Sequence, residues 1–351
     1  MAITYKEMFD TFNALAKSAD YIEKNWADIE AYFKGRDRFI FIGCGSSYSN
    51  AKSFAMINAM STGVSTMALA AGDVLLHVKR YKKCIDGAGV VFVSRSGRTS
   101  ELIRALEAIK AEGCDVNVAS FVCADDTPLG AKSDIVLSTP WAFDESVCQT
   151  RCVTNAYFMA AYIFAKLTEN TAVINDLRLM ITEGPEYIKN AEALAKELAV
   201  LPWTHALVLA DAELEGIAEE GALVFKEVCQ LPSSYHHLLD VRHGPMVLVN
   251  KETLVIVALG TKCELEINLL KDAKAKDAYV VAFCDDGDNC AAGDCCNNID
   301  GVTFSCFAKP LSHVAKGIPF IILCQMIAYY KSKETGADPD KPTGLDPWIA
   351  L

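Results

Sequence analysis

Basic charge is scarce in this chain. It has 33 Lys and Arg against 45 Asp and Glu, a net charge of −12, and no basic cluster. A phosphate backbone or an anionic membrane surface needs such a cluster, so nucleic acid and membranes are poor candidate partners, while small anionic ligands stay open to a local loop that supplies donors. Long apolar runs are also missing. The longest, residues 317–328, is too short to span a bilayer, and the start MAITYKEMFD lacks a basic segment followed by an apolar one, so a cytoplasmic location with its 14 cysteines as thiols is expected. Cys-x-x-Cys pairs are absent from the densest cysteine region, Cys284, Cys290, Cys295 and Cys296, and Asp285, Asp286 and Asp288 do not follow EF-hand spacing; no metal is expected there.

What is present is a core's worth of apolar residues. Hydrophobic types make up 52% of 351 residues, enough for two domains or a pair of fused halves. After an N-terminal helical segment, 1–34, the buried-strand runs Arg38-FIFIG, Gly89-VVFVS and Asn117-VASFVC alternate with helical stretches; His205-ALVLA, Thr253-LVIVALG and Ala278-YVVAFC repeat the pattern. This grammar predicts an α/β fold in which each half is a parallel sheet covered by helices on both faces. The halves read as diverged copies: Phe41 to Gly45 corresponds to Val208 to Ala212, and Ser94 and Gly260 end equivalent strands. The expected organisation is a first unit over 35–172, a helical linker over 173–200 with Pro185 at a turn, a second unit over 201–330, and a tail over 331–351.

Two loops between strand and helix have the composition of an anion cradle. Gly43-Cys-Gly-Ser-Ser-Tyr-Ser-Asn50 combines glycines with the hydroxyls of Ser46 and Ser47 at a helix start, and Ser94-Arg-Ser-Gly-Arg-Thr99 packs hydroxyls, a glycine and two guanidinium groups into six residues. The second loop is equally compatible with plain helix capping by Thr99 or Ser100. The first departs from a dinucleotide fingerprint, and no acidic ribose ligand follows the next strand, so NAD is not expected. A third polar stretch, residues 144–154, offers Gln149 and Thr150 to sugar hydroxyls.

The segment from Glu220 to Val249 supplies candidate acid/base groups. Glu220 and Glu227, seven residues apart, share a helix face on which Leu223 and Val224 can shield a carboxylate and raise its pKa; His243 follows in Arg-His-Gly-Pro. The same spacing also occurs on solvated faces, and Arg-His-Gly-Pro can be a simple turn.

Taken together, GCGSSY, SRSGRT, ESVCQTR and EGALVFKE with RHGP resemble the double sugar isomerase (SIS) domain family from about residue 35 onward. The resemblance implies two tandem SIS domains of flavodoxin-like three-layer form, a cytoplasmic homodimer with sites at the subunit interface, and no cofactor. It implies a sugar-phosphate site of Gly45, Ser47, Ser94, Arg95, Ser96 and Thr99, with Ser94, Ser96 and Thr99 on the phosphate and Gln149 on sugar hydroxyls. Glu227 matches the family's base between C1 and C2, and His243 the ring-opening histidine, often supplied by the neighbouring subunit. Where the family's aminotransferases have a lysine three residues before the base, this chain has Val224, and the tail Pro342-TGLDPWIAL contains no lysine. With no amidotransferase segment before Met1-Ala2, ammonia from glutamine is not expected. These departures and the sixteen-residue gap from Glu227 to His243 imply a fructosamine-6-phosphate deglycase, with a glucosamine-6-phosphate deaminase or aldose/ketose isomerase as alternatives and a non-catalytic sensor a more distant one.

Overall fold

The fold is built on strands too apolar to face water on either side. A computed structural model describes residues 2–285, 299–349 and 351. In it, β1 (Arg38–Gly43), β3 (Gly89–Ser94) and β4 (Asn117–Val122) form the centre of a five-stranded parallel sheet completed by β2 (Ser65–Ala70) and β5 (Ile135–Ser138), in the order β2-β1-β3-β4-β5. The second half repeats it with β6 (His205–Leu209), β7 (Ser233–His236), β8 (Thr253–Ala258), β9 (Tyr279–Cys284) and β10 (Val302–Cys306), in the order β7-β6-β8-β9-β10. The equal orders establish the repeat expected from sequence. Gly45, at φ 52°, and Ala212, at φ 55°, occupy the same turn in the two halves, although an alanine there lies in the left-handed region that glycine tolerates better. One equivalence shifts: the strand paired with the one ending at Ser94 ends at Ala258, not Gly260, and five residues then lead into each helix.

Helices fill the space between and outside the sheets. In chain order they are α1 (Ile3–Lys24), α2 (Trp26–Phe33), α3 (Ser46–Thr62), α4 (Ala71–Ile85), α5 (Ser100–Ala111), α6 (Arg151–Leu167), α7 (Thr171–Ala199), α8 (Glu215–Val228), α9 (Glu264–Lys274) and α10 (Gly317–Thr335). Helices α4 and α5 cover the outer face of the first sheet and α9 that of the second. The inner faces share a single core with α1, α3, α6, α7, α8 and α10, so the halves are fused through their packing as well as their chain. The apolar run from Gly317 is α10, buried on all sides for most of its length. No helix among the described residues is long and apolar enough to cross a membrane.

Residues 173–200 do not break at Pro185. They lie in α7, one helix of 29 residues with the proline inside it. An internal proline costs about 3 kcal/mol through its missing N–H and ring clash. Burial of Leu177, Met180, Tyr187 and Ile188 opposes that cost, and Gly184 just before it accepts the ring of Phe12 where a Cβ would lie 2.0 Å from the ring.

Where α3 and α8 cross, their backbones touch. A Cβ on Gly216 would stand 2.4 Å from the Ser49 carbonyl oxygen, so glycine permits an approach that brings the second half's carboxylates to the first half's loops.

Candidate active site

Gly45, Ser47, Ser94, Arg95, Ser96, Thr99, Gln149 and Glu227 line one cavity of about 130 Å³. It lies beyond the C-terminal ends of β1 and β3, where an open α/β sheet presents helix N-termini and loop N–H groups. Ser47 is in the first turn of α3, and Thr99 occupies the N-cap position of α5 without making a side-chain capping bond, which leaves its hydroxyl available to a ligand. Ser94 Oγ accepts from Gly97 N at 2.9 Å and Ser96 Oγ from Arg98 N at 3.2 Å, giving the loop a tight curl. Gly97 is required in it: φ is 61°, and a Cβ would lie 2.5 Å from Thr127 Cβ.

Arg95 departs from the expectation of a phosphate ligand. Its Nη1 donates to the carbonyls of Ser146 (2.6 Å) and Val147 (3.2 Å), and its Nη2 to that of Pro347 (2.8 Å). These bonds fasten the 144–150 loop and the C-terminal tail to the cradle. The guanidinium also acts on the cavity through its charge, which lowers the pKa of the Glu227 carboxyl against the rise that burial causes.

Glu227 reaches the cavity from α8. Burial is the largest influence on its carboxyl and raises it to about 7, against the lowering effect of Arg95 and Lys226. One face further back, Glu220 is fully buried; desolvation, and then the proximity of Glu227, raise it to about 8. The hydroxyls of Ser46 and Ser49 lie near enough to temper that rise, yet neither carboxylate oxygen closes a hydrogen bond of good geometry. Near neutral pH, Glu220 is therefore mostly protonated while Glu227 is poised between forms.

His243 does not enter this cavity within one chain. It is exposed on the turn after residues 240–242, its N–H donating to Asp240 O at 2.8 Å, and Val247 and Leu248 beside it are 79% and 66% exposed. Tyr235 and His237 also stand apart: His237 Nδ1 lies 3.1 Å from both Asp211 Oδ1 and the Tyr235 hydroxyl. Trp348, in contrast, lines the cavity with Leu345, Asp346, Pro347 and Ile349 of the tail.

Sequence reasoning missed the supports of the site. Glu7 of α1 accepts from Glu145 N (2.5 Å) and from the Ser146 hydroxyl, and the buried Asp144 carboxylate accepts from Thr150 N (2.8 Å) and Cys152 N (3.0 Å). Asp340 accepts from Ile3 N and Thr4 N, both at 2.8 Å, and its carbonyl accepts from Val147 N at 3.0 Å. A signal existed for Glu7, a carboxylate among Thr4, Met8, Thr11 and Leu15 on the buried stripe of α1. Of the cysteine cluster weighed as a metal site, Cys290, Cys295 and Cys296 lie outside the described residues; among those described, no group of three or more His, Cys, Asp or Glu residues could hold a metal ion.

Comparison with known proteins settles what the loops belong to. Residues 32–166 match the SIS domain family. The first half of this chain is a SIS domain. Beyond it, the similarity extends over almost the whole chain: to the glutamine–fructose-6-phosphate aminotransferase [isomerizing] of Sulfolobus acidocaldarius, at 25% identity over 97% of this chain and 54% of that protein, and to that of Pyrobaculum aerophilum, at 28% identity over 97% and 56%. The chain thus spans about half the length of these aminotransferases. Among solved structures, glucosamine-6-phosphate deaminase from Thermotoga maritima superposes with a TM-score of 0.81 at 23% identity over 100% of both chains. Tagatose-6-phosphate ketose/aldose isomerase from Escherichia coli gives 0.82 at 20% identity over 99% of this chain and 97% of that one. These superpositions show that the fold, with both of its five-stranded units, is the one these two proteins share.

Proposed function

We propose that this chain is an enzyme acting on sugar 6-phosphates, and that it cleaves a fructosamine 6-phosphate into an amine and glucose 6-phosphate. The observation that carries this reading is the meeting, in one cavity, of a carboxyl raised to about 7 with two helix N-termini and the hydroxyls of Ser47, Ser94, Ser96 and Thr99. An anion held at the cradle leaves the other end of the ligand facing Glu227. The similar proteins are named for fructose, glucosamine and tagatose 6-phosphates, which supports the same substrate class.

In the proposed reaction, Glu227 removes a proton from C1 of the open-chain ketosamine and returns one at C2. The substrate's own C1 nitrogen stabilises the intermediate, and water then adds to the C1 imine to release the amine. Among the described residues no lysine lines the cavity, so the nitrogen that a Schiff base needs comes from the substrate in this reading. Ring opening falls to His243 of a second copy, and the exposed apolar pair Val247 and Leu248 beside it is consistent with a surface that another subunit covers.

Incubation with fructosamine 6-phosphates, glucosamine 6-phosphate and fructose 6-phosphate, followed by mass spectrometry, tests the assignment. Release of glucose 6-phosphate and amine, lost in Glu227→Gln, is the expected result. Ammonia and fructose 6-phosphate from glucosamine 6-phosphate would instead make the protein a deaminase, and binding without turnover of any compound would make it a sensor.

A further inference from the structure

Behind the main cavity lies a second, smaller one of about 20 Å³, room for roughly one water molecule. Ser47, Ser94, Arg95 and Gln149 belong to both cavities, so the small one is the back wall of the large one. Its other walls include two thiols. Cys152, in the first turn of α6, directs Sγ at Gln149 Oε1 at 3.2 Å. Cys123, just after β4, lines the same small gap and receives the Thr139 hydroxyl at 3.6 Å. The backbone of Cys123 belongs to the cradle too, its N–H donating to Arg95 O at 2.9 Å.

The Cys152 contact fixes which way the Gln149 amide faces. With Oε1 anchored on the thiol, Nε2 is the end left for the main cavity, where it offers a donor to a sugar oxygen. We propose that Cys152 is the positioning residue for Gln149, and that Cys123 and Cys152 form a reversible disulfide that releases this amide and weakens sugar-phosphate binding. The inference rests on the reading of the main cavity as a sugar-phosphate site.

The chemistry balances with hydrogen peroxide as oxidant. The Cys123 sulfur attacks the O–O bond, forming a sulfenic acid and releasing hydroxide, which leaves as water. The Cys152 sulfur then displaces the hydroxyl from Cys123; the S–S bond forms and a second water carries away the Cys152 proton. Two sulfurs are oxidised and one peroxide is reduced to two waters. Once the disulfide exists there is no S–H to hold Gln149, and the end of β4 is tied to α6.

The test uses the full-length protein, reduced or treated with hydrogen peroxide, with the disulfide mapped by mass spectrometry and fructose 6-phosphate binding followed by calorimetry beside the turnover assay. Oxidation should produce the Cys123–Cys152 linkage and weaken binding at least tenfold, with thiol reductant restoring it. Cys123→Ser, which cannot form the linkage, should show the same affinity before and after oxidant treatment. Under reduction, Cys152→Ala should raise KM about fivefold with kcat within twofold, and Cys152→Ser, whose hydroxyl still donates, should recover most of that loss. Absence of the linkage, an undiminished affinity when it is present, or equal peroxide sensitivity in Cys123→Ser would overturn the latch. A reduced parent that forms the linkage but binds no sugar phosphate would refute the functional reading and the coupling together, whereas failure of the linkage alone leaves the functional reading standing.

Discussion

Replacing Glu220 with glutamine should change how stability depends on pH far more than it changes the fold. The wild-type carboxyl is raised from about 4.5 to about 8 by burial and by Glu227, so between those values the folded protein keeps a proton that the unfolded chain has given up. Stability from this group is therefore full below pH about 4.5 and is lost as pH rises toward about 8. A tenfold change in proton affinity is worth a little over ~1 kcal/mol, which bounds the loss near 5 kcal/mol; sharing of the proton with Glu227 and relaxation of the site bring the expectation to about 2–4 kcal/mol. Glutamine has the shape of the protonated acid and does not titrate. Urea unfolding of parent and Glu220→Gln at pH 5.5 and 8.5 makes the comparison directly: the stability of the variant relative to the parent should grow by about 2–3 kcal/mol from the lower pH to the higher one. Parallel pH dependence in the two proteins would show that Glu220 is ionised in the folded state, and the argument from desolvation would fall.

Other consequences concern the site itself. Turnover should rise through pH about 7 as Glu227 loses its proton, and Glu227→Gln should lower kcat by at least about 10²-fold while calorimetry still finds sugar-phosphate binding. Thr99→Ala removes a hydroxyl not used in capping and should weaken binding about tenfold with little change in Tm, the loss of one hydrogen bond to a charged group. Gly97→Ala must contend with both a positive φ and Thr127, and should cost binding and Tm together. If His243 serves a neighbouring subunit, mixing inactive His243→Ala and Glu227→Gln proteins should restore roughly a quarter of parental activity, since half the dimers are then mixed and each has one intact site. No recovery after subunit exchange would place that histidine outside the reaction.

The strands legible in the sequence were those at the centres of the sheets. Residues 39–43 and 89–94, and 253–258 in the second half, are apolar throughout because helices cover both their faces. The four that went unread, β2, β5, β7 and β10, are the edge strands, short and partly exposed, and STMALA or SSYH carries little of that pattern. Pro185 misled for a related reason: local propensity marks a break, but α7 is held by packing on several helices that lie far off in sequence. In the site, loop composition pointed to the cradle residues, and helical periodicity placed Glu227. Composition could not show that Arg95 would turn to carbonyl groups, because those carbonyls come from loops some 50 and 250 residues away. Nor could it place Glu7 against Ser146, a contact made only once α1 has docked.

The carboxylate of Asp340 on the first turn of α1 has a practical corollary. Both extremities of the polypeptide bear on the loop that carries Gln149, one through Glu7 and the other through the Asp340 carbonyl on Val147. A substitution in α1 or at Asp340 therefore acts on the pocket from a distance, and a loss of affinity in such a variant can originate in this brace rather than in the cradle.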